Sequence, residues 1–141
     1  MSWDVMVFNF GGRAPSFDEL SDGTLEPLPL GPGDAVRAAI SNALPGVDWT
    51  DPTWGLYGGN GFSIEFNTGD GPILDGIMLH VRGGGDAIAA MLTFALPNQW
   101  SLLDCSTSEF LDPASPSQAG WEGFQAYRDS LFKKAPPPPD D

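Results

Sequence analysis

Two fourteen-residue segments of this chain, 33–46 and 85–98, follow one pattern. Each begins Gly-Asp-Ala, places apolar residues at helix positions i, i+3, i+4, i+7 and i+8, and reaches a proline near its end. Asp34 and Asp86 stand where helix N-caps are expected. The spacing predicts two amphipathic helices. Seven identities in fourteen positions are compatible with an ancestral strand-helix-strand duplication, and also with shared helix punctuation alone.

Alternating apolar and polar residues predict the strands around these helices. The alternation is clearest in 62–66 and 77–81, which are predicted to form a hairpin. Residues typical of strands also predict a first strand at 3–10 and a last strand at 100–105. An aromatic, proline-interrupted segment at 49–57 leaves an additional edge strand open.

The predicted order is strand-helix-strand-strand-helix-strand, followed by a third helix over 117–132. This order is typical of an α+β, ferredoxin-like (split βαβ) fold: an antiparallel sheet with two helices on one face, here with an extra C-terminal helix. We expect one domain over 1–132 and a disordered Pro/Asp tail over 133–141. The segment 13–32 is predicted to be a long surface loop, either functional or partly mobile.

Length and cysteine content set further limits. At 141 residues the chain suits one domain, and it contains no apolar run long enough to cross a bilayer. Its first residues do not resemble a secretory signal. The single cysteine, Cys105, excludes an internal disulfide and a cysteine-rich zinc site. These features predict a cytoplasmic protein.

Charge is the strongest compositional signal. Nineteen acidic and six basic residues give a net charge of −13, and within 14–75 ten acids accompany only Arg37. Such a field repels nucleic acid and anionic membranes and attracts a basic protein, although acidity also serves solubility alone. The candidate partner-binding residues are acids of the first half of the chain: Asp18, Glu19, Asp22, Glu26, Asp48, Asp51, Asp70 and Asp75.

A second candidate site has a different chemistry. In the predicted hairpin, Glu65, His80 and Arg82 lie on the face away from the two helices. A carboxylate beside an imidazole could serve acid-base chemistry, and a guanidinium could bind an anion. The same residues are also ordinary partners for cross-strand charge pairing. A small-molecule-binding or enzymatic domain is therefore the alternative to a protein-binding domain.

The other motifs indicate no cofactor and no metal. Cys105 is predicted to pack as a small buried hydrophobe, on a strand too far from that of His80 for a catalytic dyad. The acids are too scattered for a calcium loop. The glycines at 83–85 precede a helix but lack the lysine of a phosphate-binding loop, so they are predicted to form a turn.

Three segments carry a resemblance to known sequences: SWDV at 2–5, LHVRGGGD at 79–86 and GWEGFQAY at 120–127. Through them the chain resembles a family of small uncharacterised bacterial proteins, and this resemblance implies no particular activity. In size, acidity and lack of catalytic motifs the chain is also similar to immunity proteins made beside bacterial toxins. That similarity implies an immunity protein or antitoxin that blocks a basic toxin, and it carries over no binding residue. A homodimer through the second sheet face also stays open.

Overall fold

The computed structural model describes residues 1–23 and 25–134. These residues form a sheet of six strands, a ribbon of two short strands and four helices. The protein therefore has an α+β fold with a mostly antiparallel sheet, as the sequence predicted at this level. Of the predicted tail, 133–134 belong to the last helix, and 135–141 lie outside the described residues.

The elements follow one another along the chain as β1 (Trp3–Asn9), α1 (Phe17–Ser21), β2 (Gly31–Pro32), α2 (Gly33–Ala43), β3 (Trp54–Gly58), β4 (Phe62–Asn67), β5 (Ile73–Leu74), β6 (Ile77–Gly83), α3 (Ala87–Ala95), β7 (Trp100–Asp104), β8 (Glu109–Phe110) and α4 (Ala119–Lys134). Across the large sheet the order is β3-β4-β6-β1-β7-β8, and every neighbouring pair is antiparallel. β2 and β5 pair separately as the ribbon.

Strand alternation gives the sheet two different faces. On the first face Val5 of β1 lies opposite Leu79 of β6, and both are fully buried. Ile40 of α2 and Phe94 of α3 pack into the same core. Burial of each such side chain stabilises the fold by roughly 1.5–3 kcal/mol. The apolar stripes of the two helices therefore hold them on this face.

The second face stays outside the buried core. Met6 of β1 lies opposite Met78 of β6 there, and both are only half-buried. We call this surface the open sheet face. Its members are all half-buried or exposed: Asp4, Met6, Phe8, Trp54, Leu56, Ser63, Glu65, Asn67, Met78, His80, Arg82, Ser101, Leu103 and Phe110.

The sheet is larger than the four strands that the sequence predicted. β3 (Trp54–Gly58) overlaps the C-terminal part of the segment 49–57 and provides one edge, and β8 provides the other. Two backbone hydrogen bonds, at 2.8 and 3.0 Å, join Asp48 to Leu56 along the outer side of β3. β8 contains only two residues, which is too short for an alternation pattern to indicate a strand.

The described part of the segment 13–32, which lacks residue 24, contains a helix where the sequence predicted only a loop. A capping box starts α1: Ser16 Oγ accepts from the Glu19 N–H at 3.2 Å, and Glu19 Oε1 accepts from the Ser16 N–H at 3.1 Å. Leu28 N then donates to Asn9 O at 2.8 Å, which ties the segment to the end of β1. A five-residue helix is too short for sustained periodicity, so the sequence pattern did not reveal it.

A buried carboxylate joins α4 to the sheet. Asp104 is 2% exposed and accepts hydrogen bonds from Trp3 Nε1 at 3.0 Å and from Ser106 N and Oγ at 2.9 and 2.6 Å. Gly120 passes so close that a Cβ at this position would collide with the Asp104 carboxylate. Trp121 packs on Trp3 with ring centroids 5.3 Å apart. The glycine at position 120 is therefore needed for contact within the chain itself.

Candidate functional site

One end of the sheet carries most of the candidate acids. β1 and β4 finish at this end, and β3, β6 and β7 begin there, because neighbouring strands are antiparallel. Hydrogen bonds join the segments 28–33, 51–53 and 68–74 and the start of α2 there, whereas Leu20 of α1 lies beside 108–113. We call the segments 10–23, 25–33, 51–53 and 68–76 and the first five residues of α2 the acidic end. It carries two arginines and eight acids: Asp18, Glu19, Asp22, Glu26, Asp34, Asp51, Asp70 and Asp75.

Seven of the eight acids selected from the sequence lie at the acidic end. The eighth, Asp48, lies along the outer side of β3. The opposite end of the sheet, formed by 59–61, 84–86 and 105–108, carries a single acid, Asp86. We call it the glycine-rich end. The segments that follow β1 and β4 and precede β3 and β6 thus carry most of the acids of the first half of the chain.

Tight turns fix two of the candidate carboxylates. Asp48 Oδ1 accepts from Thr50 Oγ1 at 2.6 Å and from Thr50 N at 2.8 Å. Asp51 Oδ1 accepts from Thr53 Oγ1 at 2.7 Å and from Thr53 N at 2.9 Å. The threonine hydroxyls first, and the backbone N–H groups next, lower the pKa of Asp48 and of Asp51 below the usual value. Both carboxylates are therefore ionised at neutral pH.

Both arginines of the acidic end are engaged within the chain. Arg13 forms an ion pair with Glu19 at 2.8 Å, and the pKa of Glu19 is lowered first by the backbone N–H that caps α1 and then by Arg13. Arg37 has a side chain only 14% exposed, lies 3.5 Å from Asp34 and donates to Pro52 O. The arginines therefore stabilise local structure and leave the acidic end with an excess of negative charge.

A polar cluster occupies part of the open sheet face. His80 Nδ1 lies 2.9 Å from Asp4 Oδ1, and the imidazole stacks on Trp54 with ring centroids 5.4 Å apart. Glu65 lies opposite His80 in the register and forms an ion pair with Arg82. The structure thus brings together Glu65, His80 and Arg82, the three residues selected from the sequence.

Asp4 and Trp54 belong to this cluster, and the sequence pattern did not identify them. The alternation of β1 places Asp4 on the second face, but its position beside His80 follows only once β1 is known to pair with β6. Trp54 reaches the cluster through β3, the strand that the sequence left undecided.

The polar side chains of the cluster mostly form hydrogen bonds and ion pairs with one another. Ser2 Oγ donates to Asp4 and lies 3.5 Å from His80 Nδ1, the same nitrogen that Asp4 contacts. A serine–histidine–carboxylate relay needs the two imidazole nitrogens to serve different partners, so these residues do not form one. The hydrogen bond from Arg82 holds the pKa of Glu65 below its usual range. The guanidinium and the carboxylate therefore satisfy each other.

Cys105 is exposed, which corrects the prediction that it packs in the core. It directly follows the last residue of β7. Although the residue as a whole is exposed, partial burial of the sulfur raises the pKa of the thiol, and the nearby Asp4 carboxylate raises it further. The thiol is therefore protonated at neutral pH. β1 separates β7 from β6, so Cys105 and His80 do not lie on neighbouring strands.

The glycines at 83–85 contact other parts of the chain. A Cβ at Gly83 would collide with the carbonyl of Gly61, and Gly84 N donates to that carbonyl at 2.7 Å. Gly85 has a positive φ of 83°, and its carbonyl accepts from Trp121 Nε1 at 2.9 Å. The space beside this loop is therefore taken up by the backbone of the chain and by α4.

Within 1–23 and 25–134, the His, Cys, Asp and Glu side chains form no group that could hold a metal ion. Over the same residues, no helix combines the length and the apolar character that a bilayer crossing requires. Comparison with protein-family models, curated proteins and solved structures gives no match to this chain.

Proposed function

We propose that this chain is a non-catalytic, acidic protein-binding domain whose acidic end docks a basic protein. The supporting observation is that the segments of the acidic end carry eight carboxylates and only two arginines, both of them engaged. Such an end attracts and orients a basic partner and repels nucleic acid and anionic membranes. In its most concrete form, the domain is an immunity protein or antitoxin that neutralises a basic bacterial toxin in the cytoplasm.

Preorganisation gives the proposal further support. The turn hydrogen bonds hold the Asp48 and Asp51 carboxylates in position before any partner arrives. Less side-chain freedom is then lost on binding, and that loss is one of the main costs of association. We therefore include Asp48 with the acidic end as part of the proposed contact surface.

We also infer that β4, β6, β1 and β7, together with α2 and α3, form a ferredoxin-like (split βαβ) unit. Its support is their order in the sheet, β4-β6-β1-β7, together with the chain order, in which α2 lies between β1 and β4 and α3 between β6 and β7. β3, β8 and the β2–β5 ribbon are then additions to this unit.

The test is affinity capture from host extract on the immobilised chain, followed by binding measurements on the captured partner. The double variant Asp70→Asn/Asp75→Asn removes two charges from the acidic end. The matched control Asp86→Asn/Glu122→Gln removes two charges elsewhere, and Asp86 makes no side-chain capping bond that the change would break.

We expect a basic partner whose affinity falls steeply with salt, because exposed charges are screened beyond about 10 Å at 0.1 M ionic strength. The acidic-end variant should weaken binding several-fold more than the control. Equal weakening by the two variants, or capture of neutral and acidic proteins only, contradicts the proposal.

The alternative is a small-molecule-binding or enzymatic domain on the open sheet face. It is favoured by a depression of about 440 Å³ beside Glu65 and Arg82, although this depression is open to solvent rather than enclosed as ligand sites usually are. It is opposed by the pairing of these two side chains with each other, which a ligand would have to break. The variant His80→Ala separates the two functions: it should leave partner binding unchanged, whereas the alternative requires a loss of ligand binding or activity.

A further inference from the structure

A line of mostly apolar side chains crosses the open sheet face from edge to edge. The strand register places its six members opposite one another on successive strands: Trp54, Asn67, Met78, Met6, Leu103 and Phe110. Five of the six are apolar, and all six are half-buried. We call this line the central row. No member of it belongs to the buried core that α2 and α3 cover.

The open sheet face is close to neutral although the chain carries −13. Its charged and titratable residues pair with each other, His80 with Asp4 and Arg82 with Glu65. All four lie on one side of the central row, toward the glycine-rich end. A near-neutral apolar surface does not suit the basic partner that the acidic end would attract. It suits another surface that is near-neutral and apolar, such as the same face of a second copy.

We propose that two copies of this chain pair through their open sheet faces, about a two-fold axis that runs along the central row. An axis in this direction reverses the strands of the second copy, so the two acidic ends point away from each other. It also sets the polar cluster of one copy against the side of the other face that carries Phe8 and Ser101. Like charges therefore do not meet, and Met6 and Met78 approach the same residues of the second copy.

The available area is sufficient for such a pair. Six strands at about 4.8 Å spacing span roughly 25 Å, and seven residues at about 3.3 Å each span roughly 20 Å along β1 or β6. Two faces of this size bury on the order of 1,000 Å² in total, which is about the minimum for a biological interface. The pairing is compatible with the proposed function, because it leaves both acidic ends accessible.

The first test measures the molecular mass of the full chain by sedimentation equilibrium. We expect the wild type to form a dimer, and Met78→Glu to be a monomer because it buries an unpaired charge at the axis. The control Leu96→Glu adds the same charge at a residue that follows α3 and is 52% exposed, and it should stay a dimer. A wild type that is monomeric at every concentration overturns the proposal, as does a dimer that survives Met78→Glu.

The second test does not depend on the stability of a charged variant. In a Cys105→Ser background, Met6→Cys should be converted to a covalent dimer by a short bismaleimide, because the axis brings this position close to its copy. Leu96→Cys, in the same background and at the same protein concentration, should remain uncross-linked. Equal cross-linking of the two variants, or none with Met6→Cys, overturns the face-to-face arrangement even if a dimer forms.

Discussion

Two carboxylates near opposite ends of the sheet share one turn motif but differ in burial. At the acidic end, the donors to Asp51 come from Thr53, two residues along the chain, and the carboxylate stays exposed. Beside the glycine-rich end, Asp104 has the same kind of local donors, the N–H and hydroxyl of Ser106, but it also accepts from Trp3, on another strand, and is 2% exposed. Local donors hold both carboxylates, and the difference between them is burial together with a donor from a distant strand. The first arrangement suits recognition and the second suits stability.

The largest effect is expected from Asp104→Ala. The change leaves Trp3 Nε1 and Ser106 N without their acceptor in a buried site, which should lower the free energy of unfolding by about 3 kcal/mol. Urea unfolding measures the loss. Asp51→Ala, which removes a carboxylate from the acidic end, should cost far less. Similar losses of unfolding free energy for the two variants would show that Asp104 contributes no more to stability than Asp51 does.

Gly120→Ala should have the next largest effect. The added Cβ collides with the Asp104 carboxylate, and overpacking of this kind costs about 2 kcal/mol. The matched control is Gly123→Ala, three residues further along α4, where a Cβ meets open space and a better helix former gains up to about 1 kcal/mol. Thermal unfolding should separate the two variants in opposite directions. A shift of the same sign for both would mean that the contact with Asp104 is not what fixes the glycine.

A smaller effect is expected at the acidic end itself. Ser16→Ala removes half of the capping box of α1, and the loss of an N-cap costs about 1 kcal/mol of helix stability. Because α1 is short and lies outside the main sheet, the change should appear as faster hydrogen exchange of its amides. Faster exchange in β1 or β6 is not expected, and a global loss equal to that of Asp104→Ala would show that α1 is part of the core.

The smallest effect concerns acid stability. The pKa values of Asp48 and Asp51 are lowered in the folded chain, so their contribution to stability is present above the ordinary value of 3.8 and is lost as the pH falls through the lowered value. Thr53→Val removes the hydroxyl that binds Asp51, so the pKa of Asp51, followed by NMR, should rise toward 3.8. The pKa of Asp48 should not move, which makes it the internal reference.

The sequence predicted the helices that bury a long stripe of apolar side chains. α2 and α3 form where the apolar spacing placed them, because each stripe packs on the sheet. Their ends differ in detail: α2 already includes Asp34, and Asp86 makes no side-chain capping bond. α1, β2, β5 and β8 were not predicted. They contain two to five residues, and partners distant in sequence or local capping hold them in place.

The candidate sites were predictable to different degrees. Alternation alone placed Glu65, His80 and Arg82 on one face, since each strand keeps its period of two. The placement of most of the acids in segments at one end depends on strand direction and loop anchoring, which composition does not contain. The error at Cys105 came from one residue: β7 ends at Asp104, so the buried alternate position belongs to that aspartate rather than to the cysteine.

The protected edges of the sheet have a consequence for self-assembly. The backbone of Asp48 forms hydrogen bonds with both the N–H and the C=O of Leu56 on the outer side of β3. At the other edge, β8 offers only two residues to which another strand could pair. Strand addition, the route by which sheets grow into fibrils, therefore finds little to extend at either edge. The proposed pairing of the open sheet faces closes after two copies, so this chain should yield discrete particles and resist polymerisation even at high concentration.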